Sequence, residues 1–118
     1  MTRRASMSPT ALTLEYCVER NWSACIVERW MGRRRWDLWG FGDVLVMDEQ
    51  AGSLIVQCTT SDHARNRVRK ITEDCADLAR LWLDRDNRIE VWGWGPGRYL
   101  RRIPIVRLST GGVGMRFD

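Results

Sequence analysis

Two continuous apolar runs joined by a tight turn restrict the fold of this chain more than any other feature. The first occupies residues 43–48, with four apolar residues between two aspartates, and the second occupies residues 53–59 and ends in polar residues. A short run without polar alternation is typical of a strand buried on both faces. Residues 50–52, Gln-Ala-Gly, are typical of a tight turn, and so short a connection joins antiparallel neighbours. The sequence therefore predicts a hairpin at the centre of a sheet.

Helices and further strands are predicted on both sides of this hairpin. Ser8 before Pro9 is typical of a helix start and predicts a helix over residues 9–20. Apolar residues recur at steps of three and four from Ala64 to Trp82, which predicts an amphipathic helical stretch with a break near residues 72–74. Strands are predicted over residues 25–30, 88–94 and 101–108, and a basic loop over residues 32–42. A mixed sheet flanked by helices, of the α/β class, is the packing that suits this order.

The length of 118 residues allows one compact core. We expect a flexible N-terminal arm over residues 1–8, a single domain over 9–108 and a C-terminal tail over 109–118. No apolar run approaches the roughly 20 residues that cross a bilayer, and no signal-peptide core follows the basic N-terminus. We therefore expect a cytoplasmic protein without membrane contact. The four cysteines form no Cys-x-x-Cys pair and there is one histidine, so the sequence predicts reduced thiols rather than a zinc site.

Charge is distributed unevenly along the chain, whose net charge is +4. Residues 1–36, 61–70 and 98–107 are basic, whereas residues 37–50 contain four acidic residues and no basic one. Acidic residues surrounded by basic segments suit a metal-dependent phosphodiesterase, in which carboxylates hold the cation and basic side chains hold the nucleic-acid backbone. The predicted nucleic-acid contacts are Arg33, Arg34, Arg35, Arg65, Arg69 and Lys70, with Trp36 and Trp39 stacking on bases. The three of these basic residues on the predicted helix, Arg65, Arg69 and Lys70, are also typical of a helix face that is exposed to solvent.

A set of oxygen ligands is predicted where the two central strands meet. Gln57 and Thr59 are two residues apart and therefore point to one face of their strand, and the hairpin brings that face beside Asp43. Mg²⁺ prefers oxygen ligands. The candidate ligands are Asp43, the side-chain oxygen of Gln57 and the backbone carbonyl of Cys58.

Motifs in residues 27–30, 35–45, 57–60, 64–71 and 82–94 occur in an order that resembles the PD-(D/E)XK nuclease superfamily, in particular its small phage and prophage members. The resemblance extends over about residues 9–95. It implies a restriction-endonuclease-like α-β-β-β-α-β core, here followed by an extra C-terminal strand. It also implies Mg²⁺ or Mn²⁺ as cofactor, DNA as partner and, for a phage-encoded protein, the host-cell cytoplasm as location.

The resemblance assigns roles to individual residues. Asp43 matches the metal-binding aspartate that begins the second core strand. Gln57 lies where the superfamily usually has an acid, and Thr59 lies where it usually has lysine. Lys70, one helix later, is the candidate replacement for that lysine, which stabilises charge in the transition state.

The resemblance also implies a third carboxylate, and the sequence leaves three candidates. Glu19 on the first helix is preferred, with Glu15 and Glu28 as alternatives.

Three functions are compatible with these features. The first is a Mg²⁺-dependent nuclease that hydrolyses DNA with metal-activated water, with Asp43, Gln57, Lys70 and Glu19 as catalytic residues. The second is a DNA-binding protein of the same fold with a degenerate site. The third is a phage protein-interaction module directed at a host protein. A homodimer is expected if both strands of a duplex are cut.

Overall fold

The structure, a computed structural model, describes residues 7–116. Most of the predicted N-terminal arm therefore lies outside the described residues, although Ser8 lies within them. Ser8 caps the first helix by accepting a hydrogen bond from the Ala11 amide, and Pro9 is the first helical residue, as predicted. In this part of the chain no helix has both the length and the apolar character needed to cross a membrane.

The described residues form helices and strands of a mixed α/β protein. The α-helices are α1 (Pro9–Glu19), α2 (Ala64–Arg69) and α3 (Ala76–Leu83). The strands are β1 (Ser23–Ile26), β2 (Arg29–Met31), β3 (Arg34–Trp36), β4 (Val44–Met47), β5 (Leu54–Thr60), β6 (Arg88–Gly95), β7 (Tyr99–Arg107) and β8 (Val113–Met115). Short 3₁₀ turns cover Ser61–His63 and Pro96–Arg98, and a π-helical turn covers Lys70–Asp74.

Six of the strands form one mixed sheet in the order β1-β4-β5-β6-β7-β8. Strands β5 and β6 are parallel, and every other neighbouring pair in this sheet is antiparallel. The segment with α2 and α3 makes the crossover from β5 to β6, as a parallel pair requires. Strands β4 and β5 are both internal, which confirms the prediction of a central antiparallel hairpin.

Helices cover both faces of the sheet. On one face α1 packs through Cys17 against Val44, Val56 and Trp92, and on the other α2 and α3 pack against a cluster that includes Ile55. Side chains alternate between faces along a strand, so Asp43, Gln57 and Thr59 belong to the face covered by α2 and α3. Asp43, Gln57 and Thr59 therefore lie on the opposite side of the sheet from most of α1, whose first turn reaches the end of β5.

The helical crossover lies very close to β6. A Cβ added to Gly93 would lie 3.2 Å from both the Ser61 Cα and the Ala64 Cβ, so only glycine permits this approach without displacing the helix. The predicted helical break falls in the π-helical turn at Lys70–Asp74.

Three predicted segments differ from the structure. The strand predicted over residues 25–30 is interrupted, because the amides of Val27 and Glu28 both donate to the Asp43 carbonyl and the chain bends there. The predicted basic loop instead contains β3, which pairs with β2 in a separate hairpin that turns at Gly32 (φ +65°). The predicted C-terminal tail contains β8, which pairs with β7 and buries Val113.

Candidate metal centre

Asp43 is held rigidly at the start of β4. Its Oδ2 accepts a 2.6 Å hydrogen bond from the Gln57 side-chain amide and a 2.8 Å hydrogen bond from the Cys58 backbone N–H. Its own amide donates to the Val56 carbonyl over 3.0 Å. Asp43 and Gln57 are both completely buried. The two residues that the sequence predicts as ligands are therefore in direct contact.

Three carboxylates converge at this position. Glu28, Asp37 and Asp43 each place one carboxylate oxygen within 4.8 Å of the others. Glu28 arrives there because the chain bends around the Asp43 carbonyl. Asp37 lies in the loop before β4, where the Leu38–Gly42 bridge closes a tight turn. The side chains of Asp37 and Glu28 are only 7% and 11% exposed, so the cluster is recessed.

Two basic side chains face these carboxylates. Arg35 on β3 lies 3.5 Å from Glu28 and 3.5 Å from Asp37, and the Lys70 Nζ lies 3.2 Å from Asp37 Oδ2. Lys70 thus reaches the carboxylate cluster from the helical crossover, as its candidate role requires. The three acids and two bases form one compact charged group.

Burial raises the pKa of Asp43 to about 8, and the negative charge of Asp37 contributes to this increase. The hydrogen bond from the Cys58 amide acts in the opposite direction but is the weaker influence. Without a further cation, burial and the charge of Asp37 therefore favour the protonated form of the Asp43 carboxyl. A bound divalent cation would favour the charged form.

Several oxygens of this group have unused acceptor capacity. Asp43 Oδ1, Gln57 Oε1 and Glu28 Oε2 are buried and accept no hydrogen bond from any residue between 7 and 116. Buried polar atoms are normally paired, so Asp43 Oδ1 and Gln57 Oε1 have acceptor capacity for a positive partner, whereas Glu28 Oε2 already has the Arg35 guanidinium at 3.5 Å. A set made only of carboxylate and amide oxygens suits Mg²⁺ or Mn²⁺ rather than a softer metal. The residues present therefore fit the cofactor that the resemblance implies.

The backbone carbonyl of Cys58, which the sequence predicts as a ligand, points toward Asp43. In an extended strand the N–H and the carbonyl of one residue point to the same edge. The Cys58 N–H donates to Asp43, so its carbonyl is directed to the Asp43 side of β5. The Cys58 thiol is buried on the opposite face of the sheet, packed in the cluster under α1.

Glu19 does not join the cluster, which corrects the preferred choice of third carboxylate. Its side chain is 62% exposed at the end of α1 and lies near Arg20, on the helix that covers the other face of the sheet. Glu15 forms an ion pair with Arg98. Of the three candidates, the structure brings Glu28 to the site. Asp37 was not singled out, although the acidic segment 37–50 was a signal that could have identified it.

The predicted base-stacking residues are already in contact with other side chains. The Arg34 guanidinium lies over the Trp36 ring, 5.1 Å from its centroid, and the Trp39 and Trp82 rings are 5.3 Å apart. Trp36 and Trp39 line a pocket of about 360 Å³ beside Asp37. The predicted contacts Arg33, Arg34, Arg65 and Arg69 are exposed, and no described groove brings them together.

A groove of about 560 Å³ opens beside Glu28, the member of the carboxylate cluster that lines it. The first turn of α1, the end of β5 and the β2–β3 hairpin form its walls. Trp30 lines this groove. Its charged and polar lining comprises Ser8, Thr10, Glu28, Arg35, Thr59, Thr60, His63 and Arg67. Sequence patterning did not single out Trp30 or Arg67, because only the folded hairpin and helix place them here.

Comparison of the chain with protein-family models, curated proteins and solved structures gave no match.

Proposed function

We propose that this protein is a metal-dependent nuclease of the PD-(D/E)XK type, which hydrolyses DNA phosphodiester bonds with Mg²⁺ or Mn²⁺. The observation that carries the proposal is the recessed cluster of Glu28, Asp37 and Asp43, with unpaired oxygens on Asp43 and Gln57. Recessed carboxylates are costly to bury unless positive charge compensates them; Arg35 and Lys70 supply part of that charge, and a bound cation would supply the rest.

The sheet topology supports this type of nuclease. A first helix, the antiparallel series β1-β4-β5, a helical crossover and the parallel strand β6 follow the expected α-β-β-β-α-β order. The β2–β3 hairpin is then an insertion between the first two core strands, and β7 and β8 are additions at the C-terminal end.

The residues of the site have different roles in the proposed reaction. Glu28, Asp37, Asp43 and the Gln57 side-chain oxygen would hold the cation. When bound, Mg²⁺ lowers the pKa of a coordinated water and offsets the charge that develops on the phosphoryl oxygens. Lys70 lies close enough to Asp37 to contribute a further positive charge at the phosphate. Burial excludes bulk water, which strengthens each of these interactions.

A second candidate function is a DNA-binding protein that has lost cleavage. Two observations favour it: Arg35 and Lys70 already neutralise much of the acidic cluster, and Gln57 and Thr59 replace the expected acid and lysine. Both substitutions weaken the site, since each removes a charge that the expected mechanism uses.

The test is cleavage of supercoiled, linear, single-stranded and branched DNA with Mg²⁺, with Mn²⁺ and with EDTA. We expect cleavage by the parent protein only with a divalent cation, and at least a 100-fold loss in Asp43→Asn. Asp77→Asn makes the same chemical change on exposed α3 and should cleave like the parent. EDTA-resistant cleavage that survives in Asp43→Asn would contradict the proposal. Salt-sensitive DNA binding without cleavage would favour the second candidate, and no DNA binding would favour the protein-interaction module.

A further inference from the structure

The groove beside Glu28 also contains an exposed aromatic side chain. Trp30 is 66% exposed, lies directly opposite Arg35 in the β2–β3 hairpin and lines the groove together with Glu28. No ring stacking or cation–π contact involves Trp30 within residues 7–116. Its indole face is therefore available to a ligand, unlike that of Trp36, over which Arg34 lies.

The opposite wall of the groove supplies positive charge. Arg67 on α2 lines the groove, and its guanidinium has no hydrogen-bond or ion-pair partner in the described part of the chain. His63 lies one turn earlier and also lines the groove, next to the exposed Asp62. Arg35 lines the same groove and lies beside Glu28 and Asp37. An anionic ligand in the groove would therefore meet the positive charges of both Arg67 and Arg35.

An aromatic platform and a recessed phosphate site in one groove restrict the substrate. In duplex DNA the bases are paired and stacked inside the helix, so their faces cannot contact an indole while a phosphate of the same strand lies at the carboxylates. An unpaired strand presents base faces and phosphates together. A single strand is also thinner than a duplex, which suits a groove whose only carboxylate among the described residues, Glu28, has a side chain 11% exposed.

We infer that the groove binds an unpaired DNA strand, with a base stacked on Trp30 and the backbone beside Arg67, and that such a strand is the substrate class of the proposed nuclease. This inference rests on the proposed function, because it identifies the phosphate site with the carboxylate cluster. The substrates that follow are single-stranded DNA and the unpaired arms or ends of branched DNA.

The test is binding in EDTA, where the proposed cleavage cannot occur. Fluorescence anisotropy of an end-labelled 12-nucleotide thymidine oligomer is compared with that of a duplex of equal length and with the matching RNA oligomer. We expect the single strand to bind at least tenfold more tightly than the duplex. Quenching of tryptophan fluorescence by the unlabelled single strand gives an independent readout.

Matched variants identify the groove. Trp30→Ala should weaken single-strand binding about tenfold and Trp30→Phe about threefold or less, because stacking needs an aromatic ring. Trp36→Ala removes an indole from the opposite face of the same hairpin and should change binding less than twofold. Arg67→Ala should reduce the slope of log affinity against log salt by about 0.7, whereas Arg65→Ala, on the same helix, should have a smaller effect.

The outcomes of these measurements separate a failure of this inference from a failure of the proposed function. Equal or tighter duplex binding, or equal losses in Trp30→Ala and Trp36→Ala, would overturn the single-strand inference even if metal-dependent cleavage of duplex DNA is found. Tight, Trp30-dependent single-strand binding without metal-dependent cleavage would support the groove assignment and contradict only the proposed nuclease activity. Preference for RNA over DNA would overturn the choice of DNA.

Discussion

The side-chain amide of Gln57 donates a 2.6 Å hydrogen bond to Oδ2 of Asp43, and both residues are completely buried. An acid at position 57 would face Asp43 with an acceptor instead of a donor. The glutamine therefore stabilises the site in the absence of metal, while its own Oε1 stays without a hydrogen bond in the described part of the chain.

Gln57→Glu should lower stability without metal and increase the stabilisation that metal provides. The change removes a buried hydrogen bond, at a cost of roughly 1–3 kcal/mol, and places a second carboxylate beside Asp43. Thermal unfolding in EDTA and with Mn²⁺ measures both effects, because a ligand that binds only the folded state raises the melting temperature. Gln57→Leu, which adds no ligand, should lose stability without gaining any response to Mn²⁺. An equal Mn²⁺ response in Gln57→Glu and the parent would contradict the ligand assignment.

The free energy of unfolding of Asp43→Asn should increase relative to that of the parent as pH rises. The folded-state pKa of Asp43 is raised to about 8 from an ordinary value of 3.8, so between these values the folded state retains a proton that the unfolded state has lost. The parent therefore loses stability as pH rises through this window, whereas asparagine does not titrate. Urea unfolding in EDTA at pH 5, 6, 7 and 8 checks the trend. Parallel profiles for the two proteins would show that Asp43 is ionised throughout.

Arg35→Ala should tighten Mn²⁺ binding several-fold while weakening DNA binding. Arg35 competes with the metal for Glu28 and Asp37, although its side chain is partly exposed and each ion pair contributes less than about 1 kcal/mol to stability. Arg34→Ala removes the same charge from the opposite face of the hairpin and is the control. Isothermal titration with Mn²⁺ compares the two variants. Equal Mn²⁺ affinities would mean that Arg35 does not compete with the metal.

Glu28→Gln should weaken Mn²⁺ binding at least tenfold, whereas Glu19→Gln should leave it unchanged. Only Glu28 lies with Asp37 and Asp43, and Glu19 lies on the helix that covers the other face of the sheet. The same titration measures both variants. Weaker Mn²⁺ binding in Glu19→Gln, with unchanged binding in Glu28→Gln, would support Glu19 as the third carboxylate, as the sequence analysis preferred.

Lys70→Met should reduce cleavage on the order of 100-fold but leave Mn²⁺ affinity the same or higher. Methionine keeps most of the side-chain volume and removes the charge beside Asp37. Single-turnover cleavage and Mn²⁺ titration separate the two effects. Arg69→Met, on the adjacent exposed position, is the control. Unchanged cleavage in Lys70→Met would show that Lys70 forms an ion pair with Asp37 but does not contribute to cleavage.

The sequence by itself determined the central hairpin and one face of the site. Continuous apolarity in residues 44–47 and 54–56 is a local property, and it specifies burial on both faces wherever the strands pair. The two-residue period of a strand then places Gln57 and Thr59 on one face. Ser8 and Pro9 likewise specify a helix start through contacts within one turn.

The tertiary structure alone decided which acids lie in the carboxylate cluster and which tryptophan lines the groove. Glu28 replaces Glu19 because two backbone amides share the Asp43 carbonyl, which bends the chain, and because α1 packs against the opposite face. Trp30 lines the groove instead of Trp36 because the register of the β2–β3 hairpin places them on opposite faces. Local periodicity depends on neighbours in the chain, whereas these choices depend on contacts between segments far apart in sequence.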